Sequence, residues 1–387
     1  MDYLLGLLGK LVAINTNTDL SLNYVKCARL IEKEAKKLGL KARTISPKAS
    51  DGKPRPNLII EPKNCKAKET IVAVTHYDVV GAGEGWKTGP FKLTRRGGTL
   101  FGRGVNDDKG AVAAALAAMK EIDWSKAKKK IKLVVACDEE IGGSYGIRHL
   151  AERRWKDLRG DFGWVIDGAI DKIGIGCSAV GRGYIVLKGK QGHAAYPHRT
   201  ENLMHGAISF MDELKEYSKV VAKRKSRFNG PPDSPEKKVW GRFAITIVKG
   251  GFKFNVFPHE VVIGFDFRAL PEDDVRKEFA KLRKHVKKLL KKHRLKAELK
   301  GWGASPGYFT DEKNKFVKEF AKAAEKTYGR KLRTGATLGA DDGRFLAKNK
   351  IPTIGFAPGG KNPHGSNESV TLGELRKTKE LMKALAA

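Results

Sequence analysis

The residues best placed for chemistry begin at Thr75-His76-Tyr77-Asp78. They follow an apolar run, Ile71-Val72-Ala73-Val74, that reads as a buried strand, and a strand end is where α/β proteins place ligands. Thirty residues on, Gly102-Arg103-Gly104-Val105-Asn106-Asp107-Asp108-Lys109-Gly110 packs glycines and two carboxylates into a turn ahead of the small-residue helix Ala111–Lys120. A His and an Asp delivered by two such turns can meet at one metal. Val134-Val135-Ala136-Cys137-Asp138-Glu139-Glu140 repeats the pattern with consecutive carboxyl groups, which repel one another unless a cation sits among them or water screens them. Val165-Ile166-Asp167-Gly168 is a further apolar run ending in an acid, and His364 stands in the glycine-rich loop Ala357–Gly365.

His76, Asp107, Glu140, Asp167 and His364 thus form a candidate ligand set. Two histidines and three carboxylates suit a pair of divalent ions, with one carboxylate bridging and each ion taking one His and one further acid. The donors suit zinc, with manganese or cobalt as alternatives. Glu139, beside a ligand, is the expected general base. Asp78, two residues from His76, is placed to hold the other nitrogen of that ring.

These motifs resemble the M20 family of metallopeptidases and amidohydrolases, which includes acetylornithine deacetylase, succinyl-diaminopimelate desuccinylase, aminoacylases, glutamate carboxypeptidases and several dipeptidases. The pieces are HYD at 76–78, GRGVNDDKG at 102–110, DEEIGG at 138–143, GKQGHAAYPH at 189–198 and GGKNPHGSNE at 359–368, in family order along nearly the whole chain. The resemblance implies His76 and Asp167 on one metal, Glu140 and His364 on the other, Asp107 between them and Glu139 as base. It also implies that His193 reaches a catalytic site across a dimer interface and polarises the scissile carbonyl, and that Asn255 and Arg268 bind the oxyanion or carboxylate of the substrate. On the residues alone, His193 can equally cap a turn and Arg268 can pair with Asp266.

A chain of 387 residues exceeds the size at which one core keeps growing, so two domains are expected. Strands at 71–74, 131–137 and 163–167 alternate with helices at 111–122 and 143–153, as in a layered α/β domain. Between about Val180 and Gly301 the order changes to strand, helix, two strands, helix, strand. That is the ferredoxin-like arrangement. The expected fold is therefore a mixed-sheet α/β catalytic domain of the zinc-peptidase type, 1–179 with 302–387, carrying an inserted α+β lid and dimerisation domain at 180–301. A helix at Asn314–Tyr328, a loop through Gly339-Ala340-Asp341-Asp342, a strand at Thr353–Phe356 and a helix at Leu372–Ala386 complete the first domain.

Composition bounds the rest. Lys and Arg number 76 against 43 Asp and Glu, a formal charge of +33. A solvated basic surface is the plain reading, while an anionic substrate, an acidic carrier protein or loose nucleic-acid contact also fit. Cys27, Cys65, Cys137 and Cys177 have no CxxC spacing, which argues against a disulfide framework and a zinc knuckle. No apolar run is long enough for a membrane span, and Met1–Val12 reads as an amphipathic helix, so a cytoplasmic protein is expected.

The expected reaction is metal-assisted hydrolysis of an amide, with Glu139 taking a proton from water and returning it to the leaving amine. Within the resembling family, Asp at the position of Asp167 tends to go with aminopeptidases and dipeptidases, which favours a dipeptide or an N-terminal peptide bond. The short lid is closer to the N-acyl-amino-acid deacylases, the alternative. A metal-free basic protein binding an anionic partner is the reading from another class, and the intact ligand set speaks against it.

Overall fold

Four apolar runs of the sequence become adjacent parallel strands in the order Lys129–Ala136, Glu69–His76, Phe162–Val165 and Thr353–Gly355. Ile71–His76 and Ile131–Ala136 are buried throughout, which is why these strands read as continuous apolar runs with no alternation. Asn57–Glu61 and Lys41–Ile45 extend one side of this sheet antiparallel. Lys172–Cys177 pairs antiparallel with the Thr353–Gly355 strand on the other side. This computed structural model describes residues 2–168, 171–232 and 234–387.

Helix Lys109–Glu121 is buried from Lys109 to Met119, and its run of alanines lets it pack against the flanking helices Tyr3–Val12 and Leu372–Ala386. Its start is fixed by close approach: a Cβ on Gly110 would lie 2.1 Å from the Val105 carbonyl oxygen. Only glycine lets the helix begin against the turn that carries Asp107. The Lys109 ammonium, also buried, donates to the Ile14 carbonyl at 2.6 Å. Burial drives its pKa down to about 8.

A second, smaller sheet has strand order Gly360–Lys361, Ser369–Thr371, Thr99–Phe101, Thr94–Arg96. It pairs Ser369 with Phe101, so the loop bearing His364 and the turn bearing Asp107 leave neighbouring strands side by side.

The chain divides into one unit of Met1–Gly176, Thr310–Gly335 and Asp341–Ala387, and another of Cys177–Phe309 with Ala336–Ala340. The second unit is built on a four-stranded antiparallel sheet in the order Arg242–Gly250, Glu260–Ala269, Ala179–Lys188, Lys296–Ser305. Helices Leu203–Ala222 and Val275–Lys292 pack on it through a core that includes Phe210, Leu214, Leu282 and Val286. Taken along the chain, these elements follow the expected ferredoxin-like order. The sequence boundaries at 180 and 301 fall inside the first and last of these strands, and the hairpin Lys225–Asn229 with Lys238–Trp240 is an addition to the expected order.

Among the described residues, no helix is long and apolar enough to cross a membrane.

Candidate metal centre

The parallel strands all deliver their C-terminal ends to one edge of the sheet. His76 is the last residue of its strand, and Asp167 follows the strand Phe162–Val165 within two residues. Glu139 and Glu140 form a short 3-10 turn just beyond Lys129–Ala136, entered through Asp138 at φ +58° and left through Gly142 and Gly143, both at positive φ. The buried Arg55 guanidinium anchors that turn by donating to both Asp138 oxygens at 3.2 Å.

The side chains meet in two groups. The ligand atoms of His76, Glu139 and Asp167 lie within 4.8 Å of one another, as do those of Asp107, Glu140 and His364. Asp107 joins the groups: its Oδ1 is 3.0 Å from His76 Nε2, and its Oδ2 is 3.1 Å from His364 Nε2. His364 Nε2 also lies 2.9 Å from Glu140 Oε2.

Asp78 organises this set from behind and is fully buried. Its carbonyl oxygen is 3.1 Å from His76 Nδ1 and its carboxylate 3.5 Å away. A carbonyl oxygen only accepts, so Nδ1 carries the hydrogen and a neutral ring presents its lone pair from Nε2. The Asp78 carboxylate also accepts from the Glu139 and Glu140 backbone N–H groups at 3.3 Å and from the Thr18 hydroxyl at 3.0 Å. One side chain therefore orients a histidine and the turn carrying two acids. Asp78→Ala is expected to weaken metal affinity roughly 10- to 100-fold, as losses of such outer partners do. Titration against a competing chelator checks this, and an unchanged affinity would make Asp78 a plain structural acid.

The donor set asks for cations. A neutral His76 would direct a lone pair at Asp107, an arrangement that needs a proton or a metal ion between the two atoms. Glu140 Oε1 is buried with no hydrogen-bonding partner among the described residues. Burial, then repulsion from Asp342, drives the Glu139 carboxyl well above its usual pKa. Burial and then Asp107 push Asp167 up to about 7, and burial also raises Glu140. Hydrogen bonds to Asp107 and then Glu140 push His364 up to about 10. The burial of His76 opposes its charge, but the bonds to Asp107 and Asp78 outweigh it and hold that ring well above the ordinary histidine range. Crowded acids of this kind are stabilised when divalent charge is placed among them.

The remaining site candidates lie in the second unit. His193 pairs with Val256 on a short ladder, and just beyond it Ala194 N–H donates to the Asn255 carbonyl at 3.0 Å. His193 Nδ1 accepts from Ala195 N–H at 3.1 Å, and the residue is exposed. Arg268 donates to both Asp266 oxygens, at 2.6 and 3.1 Å. That is the pairing its neighbour in sequence offered.

Sequence reasoning gave no role to Asp342 and Glu368. Asp342 is 3% exposed, its Oδ1 has no hydrogen-bonding partner among the described residues, and burial pushes it up to about 7. The Asp-Asp-Gly at 341–343 echoes Asp107-Asp108-Lys109-Gly110, a signal that could have marked it.

An α/β sheet whose strand ends converge acids and histidines in two joined clusters defines a metal-dependent hydrolase. The family model for Peptidase family M20/M25/M40 matches residues 73–387. A succinyl-diaminopimelate desuccinylase from Sulfurimonas denitrificans is 32% identical over 317 residues, covering 80% of this chain and 81% of that one. Among solved structures, an M20 family metallo-carboxypeptidase from Sulfolobus solfataricus superposes with a TM-score of 0.84 at 21% identity, covering 100% of this chain and 99% of the other. A tripeptidase from Staphylococcus aureus gives 0.80 at 19% identity, covering 99% and 97%. The chain belongs to Peptidase family M20/M25/M40, and it is a metallohydrolase acting on amide or peptide bonds.

Proposed function

We propose that the enzyme cleaves dipeptides, or the N-terminal peptide bond of short peptides, with two divalent ions, and that zinc is the natural pair. His76 and Asp167 would hold one ion, Glu140 and His364 the other, and Asp107 both. The observation that carries this reading is the Asp107 carboxylate, which turns one oxygen to each histidine. Imidazole and carboxylate donors suit zinc, cobalt and manganese, in keeping with the donor set.

When bound, the ions supply positive charge that makes water acidic near neutral pH and draws electron density from the amide carbonyl. The protein's own part follows from the geometry. Glu139 stands on a turn pinned by Asp78, takes the proton from the attacking water and hands it to the leaving amine nitrogen. Asp78 keeps His76 in one tautomer. His193, with Nδ1 occupied as an acceptor, has Nε2–H to offer the carbonyl oxygen. Asn255 beside it would donate to the same oxyanion. Arg268 would receive a substrate carboxylate only by giving up part of its fork on Asp266.

N-acyl-amino-acid deacylation is the second reading, favoured by the sequence similarity to a succinyl-diaminopimelate desuccinylase. A panel of dipeptides, tripeptides, N-acetyl- and N-succinyl-amino acids, assayed with zinc, cobalt and manganese, separates the two. Turnover of free dipeptides above that of acyl-amino acids supports the first reading, and the reverse order replaces it with the second. Salt-sensitive binding of nucleic acid with no hydrolysis of any member would replace both.

The active unit we propose is a homodimer joined through the second unit, whose sheet ends in the edge strands Arg242–Gly250 and Lys296–Ser305. If His193 serves the neighbouring subunit, His193→Ala and Glu139→Gln are each strongly impaired, yet mixed heterodimers regain part of the activity. That recovery is measured after confirmed subunit exchange, and its absence would assign His193 to its own subunit or to no catalytic role. A cytoplasmic setting accords with four cysteines that form no disulfide among the described residues.

A further inference from the structure

Behind the loop of His364 lies a buried ion pair that no step of the reaction uses. Glu368 and Arg103 have side chains only 0% and 1% exposed, and Arg103 Nη1 donates to Glu368 Oε2 at 2.7 Å. The turn 102–107 wraps around that carboxylate. Glu368 Oε1 accepts from the backbone N–H groups of Asn106 at 2.8 Å and Asp107 at 3.0 Å, and Gly104 N–H reaches both oxygens at 3.1 and 3.0 Å. Gly104 sits at φ +86°, the backbone turn that lets these N–H groups converge. The Glu368 carbonyl accepts from Gly102 N–H at 3.2 Å, continuing the pairing of Ser369 with Phe101.

Arg103 carries the connection onward. Its Nη2 donates to the carbonyls of Gly81 at 3.1 Å, Ala82 at 3.2 Å and His364 at 3.2 Å, and its guanidinium lies 5.3 Å from the centre of the Trp86 ring. The pair therefore touches the backbone N–H of Asp107 at one end and the backbone carbonyl of His364 at the other. A buried charge pair is weak evidence for stability alone, because desolvation offsets most of its attraction. Bonds that end on the backbones of two candidate ligands point to a further use.

We propose that Arg103 and Glu368 are positioning residues: a buried brace that sets the separation of Asp107 and His364 and so forms the cation site these two share with Glu140. The inference rests on the two-metal reading above. The other group depends on the brace less, because His76 is held by its strand pairing with Ala136 and by Asp78.

The test is stepwise cobalt binding to metal-free protein, followed calorimetrically and by the visible absorption of the bound ion, for the wild type, Glu368→Gln and Arg103→Lys. Glu368→Gln keeps shape but turns an amide NH2 toward backbone donors. Arg103→Lys can still reach Glu368 but cannot also span the carbonyls of Gly81, Ala82 and His364. In both variants one of the two dissociation constants is expected to rise by ~10- to 100-fold, the usual effect of losing an outer partner, while the other rises much less. The absorption of that weakened equivalent should change more than that of the other. Wild-type affinities and spectra in both variants would overturn the proposal. So would an equal weakening of both equivalents together with a lower unfolding midpoint, which marks a structural ion pair. If Glu368→Gln fails to fold, Arg103→Lys decides alone, and failure of both to fold counts against a positioning role. A wild type that binds fewer than two cobalt ions per chain refutes the two-metal reading itself, a distinct outcome.

Discussion

Glu139→Gln is expected to leave both metal equivalents bound and to slow amide hydrolysis by ~10²–10⁴, the usual contribution of general-base catalysis. The amide keeps the length of the side chain and its place on the turn pinned by Asp78, but it cannot accept a proton from water. The size of the effect follows from the environment. Burial and the nearby Asp342 favour the protonated acid in the bare protein, so the carboxylate is a usable base only when cations occupy the neighbouring groups. Metal content measured on the same samples as the rate makes the result decisive. Loss of one equivalent in Glu139→Gln would mean that Glu139 is a ligand, an outcome its closeness to His76 and Asp167 makes worth checking.

Asp107→Ala is expected to have the larger effect on binding. A single carboxylate facing His76 with one oxygen and His364 with the other cannot be removed from one cation site alone. Both affinities should therefore fall, each by more than the ~10- to 100-fold typical of losing an outer partner, and hydrolysis should drop to background at stoichiometric metal. The backbone around position 107 is held by Glu368 and not by the Asp107 side chain, so the fold is expected to survive. Chelator competition and circular dichroism together check this. Loss of only one equivalent would show that the carboxylate does not bridge.

Much of the site was legible because its residues sit where regular structure stops. His76, Glu140 and Asp167 each follow an apolar run, and burial on both faces of a central parallel strand is what makes such a run visible. The order of elements in the second unit was legible for a similar reason: long amphipathic helices and ten-residue strands such as Ala179–Lys188 and Glu260–Ala269 have periodicity to read. The joint between the Asp107 turn and the His364 loop was not. It is made by three-residue strands, Thr99–Phe101 and Ser369–Thr371, too short to carry a pattern and far apart in sequence. Glu368 carries no visible role in the motif at 359–368, because an acid in a glycine- and asparagine-rich loop looks solvated until its backbone partners are known. Asp342 stayed hidden because it ends the expected loop through Gly339-Ala340-Asp341-Asp342, just ahead of the helix Gly343–Lys348, which is too short to carry a periodicity.

The central claim is that this chain is an amide hydrolase whose activity needs two metal ions per active site. It is tested most directly by titrating metal-free enzyme with zinc, cobalt or manganese while following hydrolysis of the best substrate from the panel. Activity is predicted to rise from background and level off at two equivalents per chain, and to fall again on chelation. Full activity in the metal-free protein, or a plateau at a single equivalent, would contradict it.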